Sequence, residues 1–244
     1  MFMNKKVIMI PDDSNVYILL MSIQLRKMGF QVVSFRSVSD ILLVVKESSP
    51  DMIFIDKGIT GIDCGKALSV LKENGSTARL PVAVVSSEAS EKFRDECLAL
   101  GADAYLNMPI SLREMHEVLQ RCLYIPHGYQ RDHLRVCFSG TVMVTHDGTG
   151  EWLRSETLSE KGIYILRESP YSVGSEVTVS IPLFEGKSIS IKGHVIYVNP
   201  VPSGETGEPS GMAIEFMNDN LDNLIVISNY VEGLLTIPTF IKIS

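Results

Sequence analysis

Nowhere in the 244 residues do basic side chains cluster: 22 Lys and Arg face 29 Asp and Glu, for a net charge of −7. Release of counterions from a nucleic acid, or attraction to an anionic membrane surface, needs clustered cations. Both are therefore excluded as non-specific partners. Cysteine is scarce too. Cys64, Cys97, Cys122 and Cys137 show no C-x-x-C spacing and no histidine placed to complete a tetrahedral zinc site. Buried, reduced thiols in a cytoplasmic protein are the expectation. No apolar run approaches the roughly 20 residues that span a bilayer. The opening stretch, MFMNKKVIMIPDD, meets two aspartates after a short apolar run, which suits a buried strand and neither a leader nor membrane insertion. The histidines His116, His127, His133, His146 and His194 stand at no recognisable spacing from a nucleophile. Without a Ser-His or Cys-His arrangement, the chain reads as a binding protein and not an enzyme.

What is present falls into two patterns. Up to about residue 123, short β-branched runs alternate with amphipathic stretches. Strands are predicted at 7–10, 31–35, 52–55, 82–85 and 104–107, and helices at 16–27, 39–46, 65–73, 90–100 and 112–123. Apolar strands alternating with helices imply a doubly wound α/β domain with a five-strand parallel sheet. Pro126 and Gly128 then interrupt the last helix, and beyond them the period is mostly two. Residues 136–145, 162–169, 176–184, 188–198 and 211–216 read as strands, with turns at 146–150, 174–175, 185–186 and 202–209. They suit a small all-β antiparallel barrel, whose closure removes exposed edges. Residues 221–235 read as a C-terminal helix packed on it. The domain boundaries expected are 1–124, a linker at 125–130, and 131–244.

Ligands of such parallel sheets collect at the carboxyl ends of the strands. Asp12 and Asp13 follow the first strand, Asp56 the third and Ser86 the fourth. Clustered carboxylates repel one another unless a hard cation lies among them, and oxygen donors of this kind suit Mg²⁺. Asp56 is the expected phosphoryl acceptor. Residues 5–123 resemble the receiver domain of bacterial response regulators, a flavodoxin-like fold, through PDDS (11–14), PDMIFID (50–56), PVAVVSS (81–87) and GADAYLNMPI (101–110). The resemblance implies Mg²⁺ on Asp12, Asp13 and Asp56, phosphorylation of Asp56 by a sensor histidine kinase, Ser86 as switch hydroxyl and Tyr105 as the aromatic that moves with it. It also implies that two copies can pair, since receivers often associate through their last helices. The sequence departs from the family at Met108, where a lysine is expected. A thioether there lacks the charge-assisted contact a lysine makes with phosphate. Ile59 and Thr60 replace an expected Met-Pro, and Gly65 is shifted by one position. A weakened or altered switch is expected.

In the second part, Arg131 and Arg135 stand four apart, and Thr157, Ser159 and Gly162 follow in TLSEKG. Hydroxyls beside a turn that glycine permits can clasp a phosphate and a base edge. The pair of motifs, with VGSEVTVSIPL (173–183) and GMAIEF (211–216), resembles the PilZ domain, which binds cyclic di-GMP. The resemblance implies that Arg131 and Arg135 contact phosphates and stack on guanine while Thr157, Ser159 and Gly162 hold the other face. An arginine fork suits both tasks. The family usually has Asp or Asn where this chain has Thr157, so a reduced affinity is expected. Up to Tyr124 there are 14 basic and 15 acidic residues, and beyond it 8 and 14, so the two parts carry −1 and −6. An anionic ligand must meet a local cationic site on the second part, with Arg154 and Arg167 as helpers to the arginine pair. The expected role is a two-domain signalling regulator that relays a nucleotide signal to an unidentified protein target. The alternative is an adaptor that binds only protein partners, without nucleotide or phosphorylation.

Overall fold

The computed structural model describes residues 5–12, 15–56, 64–124, 133–199, 210–218 and 221–236. They fall into two compact units, one within Lys5–Asp132 and the other within His133–Ser244. Asp13, Ile59, Thr60, Arg131, the turn at 202–209 and the linker expected at 125–130 lie outside the described residues.

The first unit runs β1 (Val7–Pro11), α1 (Val16–Lys27), β2 (Gln31–Phe35), α2 (Val38–Ser48), β3 (Met52–Asp56), α3 (Cys64–Glu73), β4 (Val82–Ser86), α4 (Glu91–Ala99), β5 (Ala104–Asn107) and α5 (Leu112–Leu119). Its strands form a parallel sheet in the order β2-β1-β3-β4-β5, so the order reverses beside β1, the point at whose carboxyl edge sheets of this kind collect ligands. β3 and β4 are buried at every position, because helices cover both faces. Ile18, Met21 and Leu25 of α1 and Met115, Val118 and Leu119 of α5 pack on one face with Ile8, Ile10 and Phe54. α2, α3 and α4 cover the other, through Ile41, Leu68, Leu71 and Cys97 against Met9, Ile53 and Val84. Local signals start the helices. The Asn15, Ser37, Ser90 and Ser111 side chains each accept a first-turn backbone N–H, and Ser111 with Glu114 completes a capping box. The helix expected over 112–123 ends as α at Leu119, and Gln120–Tyr124 continues as a π-helical turn.

The second unit runs β6 (Arg135–Cys137), β7 (Thr141–His146), β8 (Thr149–Ser159), β9 (Gly162–Leu166), β10 (Glu176–Pro182), β11 (Ser188–Asn199), β12 (Gly211–Phe216) and α6 (Leu221–Thr236). Pairing in the order β8-β7-β10-β11-β12-β9 and back to β8 closes a six-strand antiparallel barrel, with β6 added beside β8. Val142, Val144, Leu158, Ile163, Ile165, Val179, Ile181, Ile191 and Ile214 fill its interior, each at most 3% exposed.

Two expectations are corrected here. Residues 136–145 form not one strand but two, β6 and β7, joined through Gly140. A Cβ on Gly140 would stand 2.5 Å from the Phe138 ring. The stretch Thr149–Ser159, not among the expected strands, forms an 11-residue strand, β8, that ends at Ser159 of TLSEKG. With Glu151, Arg154 and Glu156 interspersed and Trp152 65% exposed, β8 lacks the apolar run that marks the other strands. A two-residue turn at Asp147 and Gly148, both with positive φ (48° and 77°), joins β7 to β8 with the twist that hairpins require.

β8 changes partners along its length. Thr149 to Arg154 pair with β7, and Ser155 to Ser159 pair with β9 across a bulge between Ser155 and Thr157. Ser155, 1% exposed, fastens the junction. Its N–H donates to Gly140 O at 2.8 Å, and its hydroxyl lies 2.8 Å from Phe138 O and 3.0 Å from Gly140 O. Ser155→Ala leaves these buried carbonyls one donor short and is expected to destabilise the barrel by about 1–3 kcal/mol, measured by chemical denaturation followed through the sole tryptophan, Trp152.

Candidate functional site

Parallel register aligns the carboxyl ends of the first sheet. Asp56 lies beside Val85, and Ser86 beside Asn107, so the phosphoryl acceptor expected from sequence and the expected switch hydroxyl end neighbouring strands. Asp56 and Ser86 are both buried, and Asp12 is exposed at the end of β1. Ser86 and Tyr105 share a partner. Ser86 Oγ accepts the Glu88 N–H at 3.0 Å, while Tyr105 OH donates to Glu88 O at 2.6 Å. The Tyr105 ring meets Phe93 of α4 edge-on at 5.9 Å. Residue 88 is thus held at its N–H by Ser86 at the end of β4 and at its carbonyl by Tyr105 of β5.

Two side chains close in on the acidic edge. Arg36, which follows β2, donates through Nε to Asp12 Oδ2 at 2.9 Å. That hydrogen bond, and then the Asp12 charge, raise the Arg36 guanidinium above its ordinary value. The Met108 thioether lies 3.7 Å from Asn15 Nδ2, so the position where a lysine was expected holds a soft, uncharged contact with the α1 cap. The acidic donor set offers hard oxygens in Asp12 and Asp56, which suit Mg²⁺. Among the described residues, however, no group of three His, Cys, Asp or Glu side chains is close enough to hold a metal ion; Asp13 is not among them.

On the barrel, antiparallel pairing brings the second motif together. Arg135 of β6 stands opposite Ser159 of β8, and Cys137 opposite Thr157. On the other side of β8, Ser159 stands opposite Gly162 and Thr157 opposite Tyr164. Directly opposed residues point to the same face, so Arg135, Cys137, Thr157, Ser159, Gly162 and Tyr164 share the outer face while Val136, Leu158 and Ile163 point inward and are buried. Tyr164 was not singled out from sequence. Its signal is the two-residue period that carries Gly162 to Tyr164 on one face.

The glycine of TLSEKG has a different reason from the one expected. Gly162 is absent from the positive-φ positions. Instead, a Cβ there would sit 2.5 Å from Ile214 O of β12, so close approach of a neighbouring strand excludes a side chain. Ser159 Oγ donates to Gly162 O at 3.0 Å and closes the two-residue turn at Glu160 and Lys161.

The two helper arginines stand apart from this row. Arg154 lies opposite Thr141 of β7, on the far side of the β8 bulge. Arg167 follows the end of β9 remote from Gly162 and donates through Nε to Glu151 at 2.6 Å, with its guanidinium carbon 4.3 Å from the Tyr171 ring centre. Tyr171 OH donates to the same carboxylate at 2.8 Å. The Tyr171 hydrogen bond, then that of Arg167, hold the Glu151 carboxyl below its ordinary value. The thiols also differ from expectation: Cys64 and Cys97 are buried, but Cys122 is half-buried and Cys137 exposed, because β6 turns Cys137 to the outer face. Burial, and then the Asp103 charge, push the Cys122 thiol up.

Both halves match known families. The family model of the response regulator receiver domain matches residues 8–120, and that of the PilZ domain matches residues 129–233. The chain is a response regulator receiver domain followed by a PilZ domain, a two-domain signalling regulator built from regulatory, non-catalytic families. Similar solved structures include the receiver domain of a sensor histidine kinase from Pseudomonas aeruginosa with magnesium in its active-site cleft, 22% identical over 48% of this chain and 97% of that one, with a TM-score of 0.44. A chemotaxis response regulator of Vibrio cholerae is 20% identical over 49% and 99%, at 0.44. A two-component response regulator from Clostridium difficile is 15% identical over 49% and 96%, at 0.44. Among the described residues, no helix is long and apolar enough to cross a membrane.

Two outcomes follow from these contacts. Gly162→Ala forces Ile214 O to move and is expected to lower stability by about 2 kcal/mol or more, read as a shifted denaturation midpoint. The Glu151 contribution is present above the ordinary carboxyl value and is lost as pH falls through the lowered folded value. Melting temperature should therefore fall with acidification below about pH 4.5, and Glu151→Gln should make that fall shallower.

Proposed function

We propose that this protein is a non-enzymatic, cytoplasmic two-input regulator whose barrel binds cyclic di-GMP through Arg131, Arg135, Thr157, Ser159 and Gly162 and passes the signal to a protein target. The observation that carries this reading is the outer-face row in which Arg135 opposes Ser159 and Ser159 opposes Gly162. A guanidinium beside a hydroxyl supplies a charged fork for a phosphate or a base edge and a rotatable donor. Ser159 would donate to a phosphate oxygen only after its hydroxyl turns away from Gly162 O. Thr157 offers a hydroxyl where a carboxylate or amide would grip guanine twice, which weakens base recognition.

The receiver is the second input. Asp56 would accept a phosphoryl group from a sensor histidine kinase, with Mg²⁺ held by Asp12, Asp13 and Asp56. Ser86 and Tyr105 would answer through Glu88, and the receiver could pair two copies of the chain. Bound there, Mg²⁺ supplies charge neutralisation of the transferring group. For the receiver half alone, a docking role without phosphorylation has support of its own: Arg36 already meets Asp12, and Met108 offers no charge to a phosphoryl oxygen.

Calorimetric titration of the full chain with cyclic di-GMP tests the main reading. Binding is expected in the micromolar range or tighter, and Arg135→Ala is expected to weaken it by about tenfold or more, the loss of one charge-assisted fork. Wild-type protein that gives no heat up to high micromolar nucleotide would refute it and leave the adaptor that binds only proteins.

A further inference from the structure

The turn between β8 and β9 carries a side chain that the nucleotide reading leaves unused. Glu160, whose side chain is only 11% exposed, reaches two other elements with its two carboxylate oxygens. His133 Nδ1 lies 3.1 Å from Oε2, and the Ser228 hydroxyl of α6 donates to Oε1 at 2.9 Å. An ionised carboxylate only accepts, so the His133 contact is a hydrogen bond when Nδ1 carries the proton.

The three elements joined at this carboxylate matter for what each one bears. His133 falls midway between Arg131 and Arg135 in the sequence. Glu160 directly follows Ser159. Ser228 lies near the middle of α6, next to Ile227, which is buried, and α6 packs against β6 and β8, the two strands that hold Arg135, Thr157 and Ser159. Tyr230, half a turn on, meets Phe138 edge-on at 6.2 Å and Phe184 at 4.7 Å.

We propose that Glu160 is the positioning residue through which an occupied nucleotide site acts on α6. The inference rests on the nucleotide reading above. Two arginines that close on one anion fix the short segment between them, and His133 is in that segment. Hydrogen bonds weaken steeply once stretched by about half an ångström beyond their usual range. A shift of His133 is therefore met by Glu160, and through its other oxygen by Ser228. A ligand acts on a remote element only so far as the contacts differ between the free and bound states, and this carboxylate is a contact common to the arm, the turn and the helix. α6 then becomes the surface whose order reports the nucleotide to a protein target.

Hydrogen exchange of the α6 amides, measured on the full chain with and without saturating cyclic di-GMP, tests this. In the wild type, nucleotide is expected to change exchange around Ser228 by about threefold or more. Ser228→Ala should still bind, with affinity shifted by no more than about tenfold, yet lose the change in α6, and Ser228→Thr should restore it. Glu160→Gln, which keeps shape but not charge, should reduce it. A melting curve for each variant separates this from general loosening of the helix. Nucleotide that binds but leaves wild-type α6 unchanged, or changes it equally in Ser228→Ala, overturns the role of Glu160 and leaves the binding site standing. Wild-type protein that binds no nucleotide overturns both.

Discussion

The barrel depends on the bend in β8. Its first half pairs with β7 and its second half with β9 and β6, so one strand both closes the ring and carries the motif exposed on it. A bulge is the means by which a strand can change direction without abandoning its hydrogen bonds. Here it falls between Ser155 and Thr157, directly after the serine whose N–H and hydroxyl meet the carbonyls of Phe138 and Gly140. The residues that answer the bend are thus those that precede Thr157 and Ser159. Their outer-face placement is a consequence of closure, and so is the exclusion of a side chain at Gly162 by Ile214 O.

In the receiver the governing constraint is a shared edge. Parallel register sends Asp56, Ser86 and Met108 to the same end of the sheet, and Ser86 and Tyr105 then converge on the backbone of Glu88. A loop held by its N–H on one side and its carbonyl on the other responds to changes at either strand. The electrostatics at this edge are local: Arg36 lies on Asp12, and the Met108 thioether meets the Asn15 amide.

Much of this was legible in the residues because both units repeat strong local rules. β1, β3 and β4 follow apolar runs covered on two faces, and all five strands fell within a residue or so of their predicted bounds. β12 and α6 were equally plain. What escaped was the strand without an apolar run. β8 interleaves Glu151, Arg154 and Glu156 with its apolar residues because much of it faces solvent, so it shows no apolar run. Arg167 could not be told from Arg135 by type or charge. Pairing commits it to Glu151 and Tyr171 at the end of β9 remote from Gly162.

Spacing by itself determined that an arginine pair and a T-x-S-x-x-G segment exist, that they lie in a strand-rich half, and that Asp12 and Asp56 stand at the carboxyl ends of strands in a parallel sheet. These follow from short-range periodicity, which is written in the chain. Only tertiary structure decided that Arg135 faces Ser159, that Tyr164 joins them and that Glu160 reaches both His133 and Ser228. Cross-strand register and a helix returning from 68 residues away are set by closure of the barrel, and no local pattern encodes which residues closure makes neighbours.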